Sequence, residues 1–245
     1  MGILNATPDS FSDGGKYFDA EAALKKAEEM MKQGADIIDL GGQSTRPGSE
    51  AVSPSIEWER IKNIAAGLTL RNIPFSVDTF YPEVARKALE AGALMINDVS
   101  GNAQKEMAEA IKEYGAAWVL MSRKGEAKEI AADLKSLAED AMSFGIAKEQ
   151  ICLDPGIGFG KSNEQSIDAL KQTANLKPEG FGYLVGASRK RCIGFISGIE
   201  NPEERDEATA EIHSIAIEGG ADIIRVHNVA LAKEKALEDD KKFRS

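Results

Sequence analysis

Only two cysteines, Cys152 and Cys192, occur in 245 residues, each in an apolar setting. That excludes a scaffold built on disulfides and leaves both thiols as core-packing residues of a reducing compartment. No apolar run approaches the roughly 18 residues that a membrane-crossing helix needs, and the N-terminus reaches polar Asn5 too soon for a secretory signal. The expectation is a cytoplasmic chain with no membrane partner. Basic charge is in deficit, with 30 Lys and Arg against 40 Asp and Glu, a net charge of −10. A broad surface for nucleic acid or anionic lipid is thereby disfavoured, so any anion must be captured by a local cluster of cations. No low-complexity tract or long proline- and serine-rich linker interrupts the chain, and residues 1–245 are expected to form one domain.

What is present is a repeated phrase. Short apolar runs end in a polar residue, a glycine-, serine- or threonine-bearing loop follows, and an amphipathic segment leads to the next run. The plainest case is Ile151-Cys152-Leu153-Asp154, after which Pro155 stops any helix and Gly156, Gly158 and Gly160 permit a sharply turning backbone. Runs begin near Gly2, Ala35, Pro74, Ala93, Ala117, Ile151, Tyr183 and Ala221; Gly-Ala closes the preceding helix at 34, 92, 115 and 220. Eight strands alternating with helical connections imply parallel pairing with right-handed crossovers, and eight such units close as a (β/α)₈ TIM barrel, an α/β fold. An open doubly wound sheet is the alternative.

Chemistry in a barrel of this kind sits at the C-terminal ends of the strands. Those ends read Asn5, Asp39, Asp78, Asn97 with Asp98, Met121, Asp154, Ser188 to Lys190, and Arg225 with His227. Each Asp or Asn alone is an ordinary turn or cap residue. Together they ring one mouth with donors and acceptors, which suits a polar planar heterocycle, because buried partners reject ligands that leave them unpaired. Arg46, Arg189, Lys190, Arg225 and His227 add a cationic half suited to phosphate, diphosphate or carboxylate.

These stretches carry a resemblance. Gly2 to Gly15, Gly41 to Gly48, Ser76-Val77-Asp78-Thr79, Ile96-Asn97-Asp98, Leu153 to Phe159, Ser188-Arg189-Lys190 and Arg225-Val226-His227 are similar to the successive motifs of the dihydropteroate synthase family, in order along nearly the whole chain. The resemblance implies a transferase of the folate pathway that condenses 6-hydroxymethyl-7,8-dihydropterin diphosphate with p-aminobenzoate. It places the pterin among Asp78, Asn97, Asp154 and Lys190, with Met121 and Phe159 as apolar walls. It assigns the diphosphate to Asn5, Arg225 and His227, with Asn5 also a Mg²⁺ ligand. It sets p-aminobenzoate beside Thr45, Arg46 and Pro47 and near the helix start at Lys190 and Arg191. Asp13 becomes a candidate for steadying a pterin-methyl cation, so the implied catalytic set is Asp13, Asp78, Asp154, Lys190 and Arg225. A homodimer through the last two helices is implied as well.

The chain departs from the family at Ser122, where histidine is common, and at Arg191, where many members have serine. It also begins directly at the first strand, with no room for the extra N-terminal strand of many members. The rival readings are a pterin-binding methyltransferase domain and a non-catalytic pterin binder. Neither needs Arg46 together with the Ser188-Arg189-Lys190 cluster and both glycine-flanked loops.

Overall fold

Strands of two to five residues are all that the apolar runs supply, and they are buried because helices cover them. The structure, a computed structural model, describes residues 1–6, 15–43 and 51–243. Eight parallel strands follow chain order around the sheet: β1 (Gly2–Asn5), β2 (Ile38–Gly41), β3 (Phe75–Asp78), β4 (Met95–Asp98), β5 (Ala117–Met121), β6 (Ile151–Asp154), β7 (Gly182–Val185) and β8 (Ile223–Ile224). The last edge meets the first: the Ile3 N–H donates to the Val226 carbonyl at 2.9 Å, and the Val226 N–H to that of Met1 at 3.0 Å. This is the (β/α)₈ barrel.

The connecting helices are α1 (Gly15–Lys32), α2 (Pro54–Leu70), α3 (Pro82–Glu90), α4 (Lys105–Tyr114), α5 (Ala127–Ser143), α6 (Asn163–Lys171), α7 (Thr173–Leu176), α8 (Arg191–Ser197), α9 (Asp206–Glu218) and α10 (Val229–Phe243). Several boundaries shift by a few residues from the sequence expectation, as at β2, which begins at Ile38 and not near Ala35, and two of the departures have a visible cause. The apolar spacing after β6 predicts one helix from Asn163 to Ala174, but the chain breaks it at Gln172, where the Thr173 hydroxyl donates to the Leu170 carbonyl at 2.8 Å and so competes with the helix ladder. The eighth strand, expected from Ala221, is regular only at Ile223 and Ile224, with Val226 joining β1 as an isolated bridge; at its start the Asp222 carboxylate takes the Tyr183 N–H at 2.8 Å in place of a backbone carbonyl. No helix among the described residues is long and apolar enough to cross a membrane.

Side chains alternate across the strands, so each strand has an outer and an inner set. The outer set, with Leu4, Leu40, Phe75, Val77, Ile96, Trp118 and Leu153, joins the helices in one continuous core. The inner set is apolar at the N-terminal end, where Met1, Val119, Cys152 and Leu184 pack with Ile37, Met95 and Ile223, and Met121 is its apolar member at the other end. Above that plug the inward positions otherwise turn polar. The plug closes the floor of the barrel and leaves its C-terminal mouth as the place where buried polar groups collect.

Candidate active site at the barrel mouth

Register brings the polar strand ends to one level. Asn5 lies opposite Gly41, Gly41 opposite Asp78, Asp78 opposite Asn97, and Met121 opposite Asp154. The period of two also decides which of two adjacent polar residues takes part. Asn97 faces inward, whereas Asp98 turns out to accept from the Ser100 N–H at 2.9 Å and from Trp118 Nε1 at 3.3 Å. Asp98 therefore belongs to the helix layer, where burial pushes it up to about 6; the sequence reading had placed it in the ring beside Asn97.

The organising ion cluster is Asp39–Arg225–Asp78. Arg225 donates from Nε to Asp39 at 2.6 Å and from Nη2 to Asp78 at 2.9 Å, leaving the Nη1 edge for an anion. Asp39 also accepts from Ser76 Oγ at 2.5 Å and Asn97 Nδ2 at 3.1 Å. Asp39 thus orients Asn97 and Arg225 together. The sequence reading named it as a strand end but gave it no role, though its place two residues before Gly41 puts it on the inward face.

Once these bonds are made, Asp78 Oδ1 and Asn97 Oδ1 remain buried without a partner among the described residues. Buried acceptors in that state are costly, so they mark a place where a ligand donates. Asp154 stands across the mouth. Its Oδ1 accepts from the Gly156 N–H at 2.6 Å, closing the turn after β6. Gly156 has φ +69°, and a Cβ there would lie 2.0 Å from the Ser122 carbonyl oxygen, so this turn tolerates no side chain. Burial pushes both carboxyl groups up, opposed at Asp78 chiefly by Arg225 and at Asp154 chiefly by Lys190.

Two lysines supply positive charge and make no ion-pair contact with a carboxylate among the described residues. Lys190 Nζ donates to the Ile157 carbonyl at 2.5 Å and lies 4.7 Å from the centre of the Phe159 ring. Its ammonium is enclosed although the residue is partly exposed, and desolvation brings it down to about 8 against the pull of Asp154. Lys161 donates to the carbonyls of Ser122 and Phe159, each at 3.3 Å, and is likewise brought down to about 8 by burial. Lys161 was missed in the sequence because it looks like an ordinary loop cation after Gly160. It ties the β5 and β6 loops together. Met121 is fully buried in the wall and Phe159 half-buried.

On the far side, Ser188 Oγ lies 2.9 Å from His227 Nδ1 and accepts from the His227 N–H at 3.2 Å. Arg189 leaves the anion half: Nε and Nη2 form a fork on the Asp206 carboxylate at 2.7 and 2.8 Å. Arg191 opens α8 and is exposed. Ser122 donates to Asp133 at 2.7 Å, so this departure from the family is a β5-loop anchor. Glu57 is buried beside the mouth, accepts from Gln43 Nε2 at 2.9 Å and is pushed up to about 7 by burial. Asp13, Thr45, Arg46 and Pro47 lie outside the described residues.

Asn5 offers an amide oxygen at the mouth, and a Cβ built on Gly41 would lie 3.3 Å from it. Among the described residues no group of three or more His, Cys, Asp or Glu could hold a metal alone. A hard cation here would therefore take Asn5 plus oxygens from its own anionic ligand and water, which is how Mg²⁺ is usually held at phosphates.

Comparison with known proteins agrees with this geometry. Residues 1–227 match the pterin binding enzyme family. The dihydropteroate synthase of Synechocystis is 45% identical, with 94% of this chain and 84% of that protein covered; the Bacillus subtilis one is 40% identical, with 94% and 83% covered. The crystal structure of the Clostridium difficile dihydropteroate synthase in the presence of pteroic acid superposes with a TM-score of 0.95 at 42% identity, covering 100% of this chain and 96% of that one. The Xanthomonas albilineans dihydropteroate synthase in complex with 7,8-dihydropteroate gives 0.90 at 36% identity, covering 99% and 92%. A match of this extent, on a barrel whose mouth presents unpaired acceptors beside confined cations, means that the chain belongs to the dihydropteroate synthase family of pterin binding enzymes.

Proposed function

We propose that the chain joins 6-hydroxymethyl-7,8-dihydropterin diphosphate to p-aminobenzoate, giving 7,8-dihydropteroate and diphosphate. The observation that carries this reading is the set of buried acceptors, Asp78 Oδ1 and Asn97 Oδ1, facing Asp154 across a mouth that also holds Arg225. An aminopyrimidinone edge donates several N–H groups in one plane, which matches carboxylates held at fixed separation. Met121 and Phe159 supply apolar faces for the ring, and Lys190 lies near enough to Asp154 to offset its charge.

The reaction breaks the bond between the pterin methylene carbon and the diphosphate oxygen, and the aniline nitrogen lone pair forms the new carbon–nitrogen bond, with loss of a proton. Arg225 through Nη1, His227 and Asn5 would hold the departing diphosphate. Asp78 and Asp154 would favour positive charge developing on the pterin methylene. No protein nucleophile is needed, so positioning and charge stabilisation account for the rate. Mg²⁺, bound through Asn5 and the diphosphate, would neutralise charge on the leaving group. Thr45, Arg46 and Pro47 would flank p-aminobenzoate beside Lys190 and Arg191, and Asp13 would steady the cation. We further propose a cytoplasmic homodimer joined through α9 and α10. A diphosphate-release assay tests the activity: release should require both substrates. Release with the pterin alone, or none with both, overturns the reading.

A further inference from the structure

Lys190 follows a backbone anomaly. Arg189 has φ +59°, a left-handed conformation that side chains with a Cβ avoid, and among the described residues only Asn72 shares it outside glycine. Such a residue persists where its surroundings over-determine it. The surroundings here come from one place, the start of α9. Thr209 Oγ1 accepts the Arg189 N–H at 3.2 Å, and the Asp206 carboxylate holds the Arg189 guanidinium at both ends. Arg205 then takes the carbonyl side: Nη1 donates to the Arg189 carbonyl at 3.1 Å and to the Lys190 carbonyl at 3.3 Å.

Arg205 is itself unusual. It is a buried arginine, 8% exposed, whose hydrogen bonds run to main-chain carbonyls, including those of Ile199 at 2.9 Å and Glu200 at 2.5 Å. Its guanidinium lies flat against Gly194 of α8, where a Cβ would come within 2.6 Å of Cζ. One planar fork therefore joins both ends of α8 and the β7–α8 turn. Lysine could not reproduce it, because a single ammonium cannot span four carbonyls in a plane.

We infer that Arg205, with Asp206 and Thr209, is a positioning residue for the pterin site: it holds the Ser188–Lys190 turn in its strained form so that Lys190 is delivered onto Ile157 and Phe159 beside Asp154. The inference rests on the proposed function, in which Lys190 meets the pterin. A structural role for Arg205 alone would weaken the fold without acting through Lys190, and a double-mutant cycle separates the two.

The test uses calorimetric titration of the full-length protein with 6-hydroxymethylpterin. Arg205→Lys should weaken binding about 10-fold in the otherwise unchanged protein but less than about 2-fold in a Lys190→Met background, the residues being coupled. Equal losses in both backgrounds overturn the positioning role. Unchanged binding in Lys190→Met alone instead overturns the pterin assignment of Lys190, a separate failure. Should Arg205→Lys not fold, Asp206→Asn, which removes charge from the fork on Arg189 without changing its shape, is carried through the same cycle with the same expected inequality and the same overturning result.

Discussion

Asp154 lies where one atom's identity sets affinity. Its Oδ1 is committed to the Gly156 N–H, so only the rest of the carboxylate faces the mouth. Asp154→Asn keeps the turn but presents an N–H to a ligand N–H. Losing one charge-assisted hydrogen bond costs about 1.5–3 kcal/mol, so pterin affinity should fall roughly 10- to 150-fold. An unchanged dissociation constant by calorimetry would take Asp154 out of the site. His213 offers a residue-scale effect on stability. It is buried on α9, and Nε2 accepts the Ala187 N–H at 3.2 Å, which requires the neutral ring with its proton on Nδ1. Burial brings it down to about 3, against about 6.5 in the unfolded chain. The unfolded state then binds the extra proton between these values, so the contribution of His213 is complete above pH 6.5 and lost as pH falls towards 3. His213→Leu should cost about 1–3 kcal/mol at pH 7.5 by stranding the Ala187 N–H. The gap to the unmodified protein should then shrink by about 1.4 kcal/mol for each pH unit below 6.5. Urea midpoints at pH 7.5, 6 and 5 check this, and a constant gap refutes it.

Elements in this barrel end by one repeated device. After α1, α3, α4 and α9 the chain passes through a left-handed glycine, Gly34, Gly92, Gly115 or Gly220, and the next alanine N–H reaches back five residues, as from Ala93 to Ala88 and from Ala116 to Ile111, each at 3.0 Å. The alanine is buried and lies one to three residues before the next strand, so each cap also sets where that strand enters the barrel. The Gly-Ala phrase was legible because this geometry demands both a residue without a Cβ and a small one after it. The break at Gln172 was not legible, since a threonine near a helix end gives no sequence cue of which carbonyl its hydroxyl will take. The caps are not equal. A Cβ on Gly115 meets nothing within 4 Å, whereas one on Gly92 lies 2.7 Å from Thr69 Oγ1. Gly115→Ala should cost only the conformational penalty, about 1 kcal/mol, and Gly92→Ala at least about 1 kcal/mol more through overpacking. Equal urea midpoints for the two variants would contradict the steric account.

At the scale of the molecule, α10 exposes Leu237 by half among charged neighbours on the last helix. If α9 and α10 form the proposed dimer face, the sedimenting mass should be twice 26.3 kDa, and Leu237→Glu should shift it towards the single chain. A protein of single-chain mass at micromolar concentration would refute the dimer. Much of the rest was already determined by the order of residues. Eight apolar runs, each followed by a helical pattern, specify parallel strands because no short turn can join them, and eight of them close without an edge. The polar residues Asn5, Asp78, Asn97, Asp154, Lys190 and Arg225 could be placed at the barrel mouth from the sequence because they stand at or just beyond the ends of the apolar runs. What only the tertiary structure decided is which of these groups touch. Asp98 and Asn97 are neighbours in sequence, yet the strand period sends one to Trp118 and the other to Asp39. Arg225 and Asp39 stand 186 residues apart and meet at 2.6 Å only because β8 closes on β1. Arg189 reads as an anion-binding arginine until α9 brings Asp206 to it. Local sequence sets strand, turn and charge through short-range sterics and solvation, but pairing among charges depends on barrel closure and register, which are properties of the whole chain.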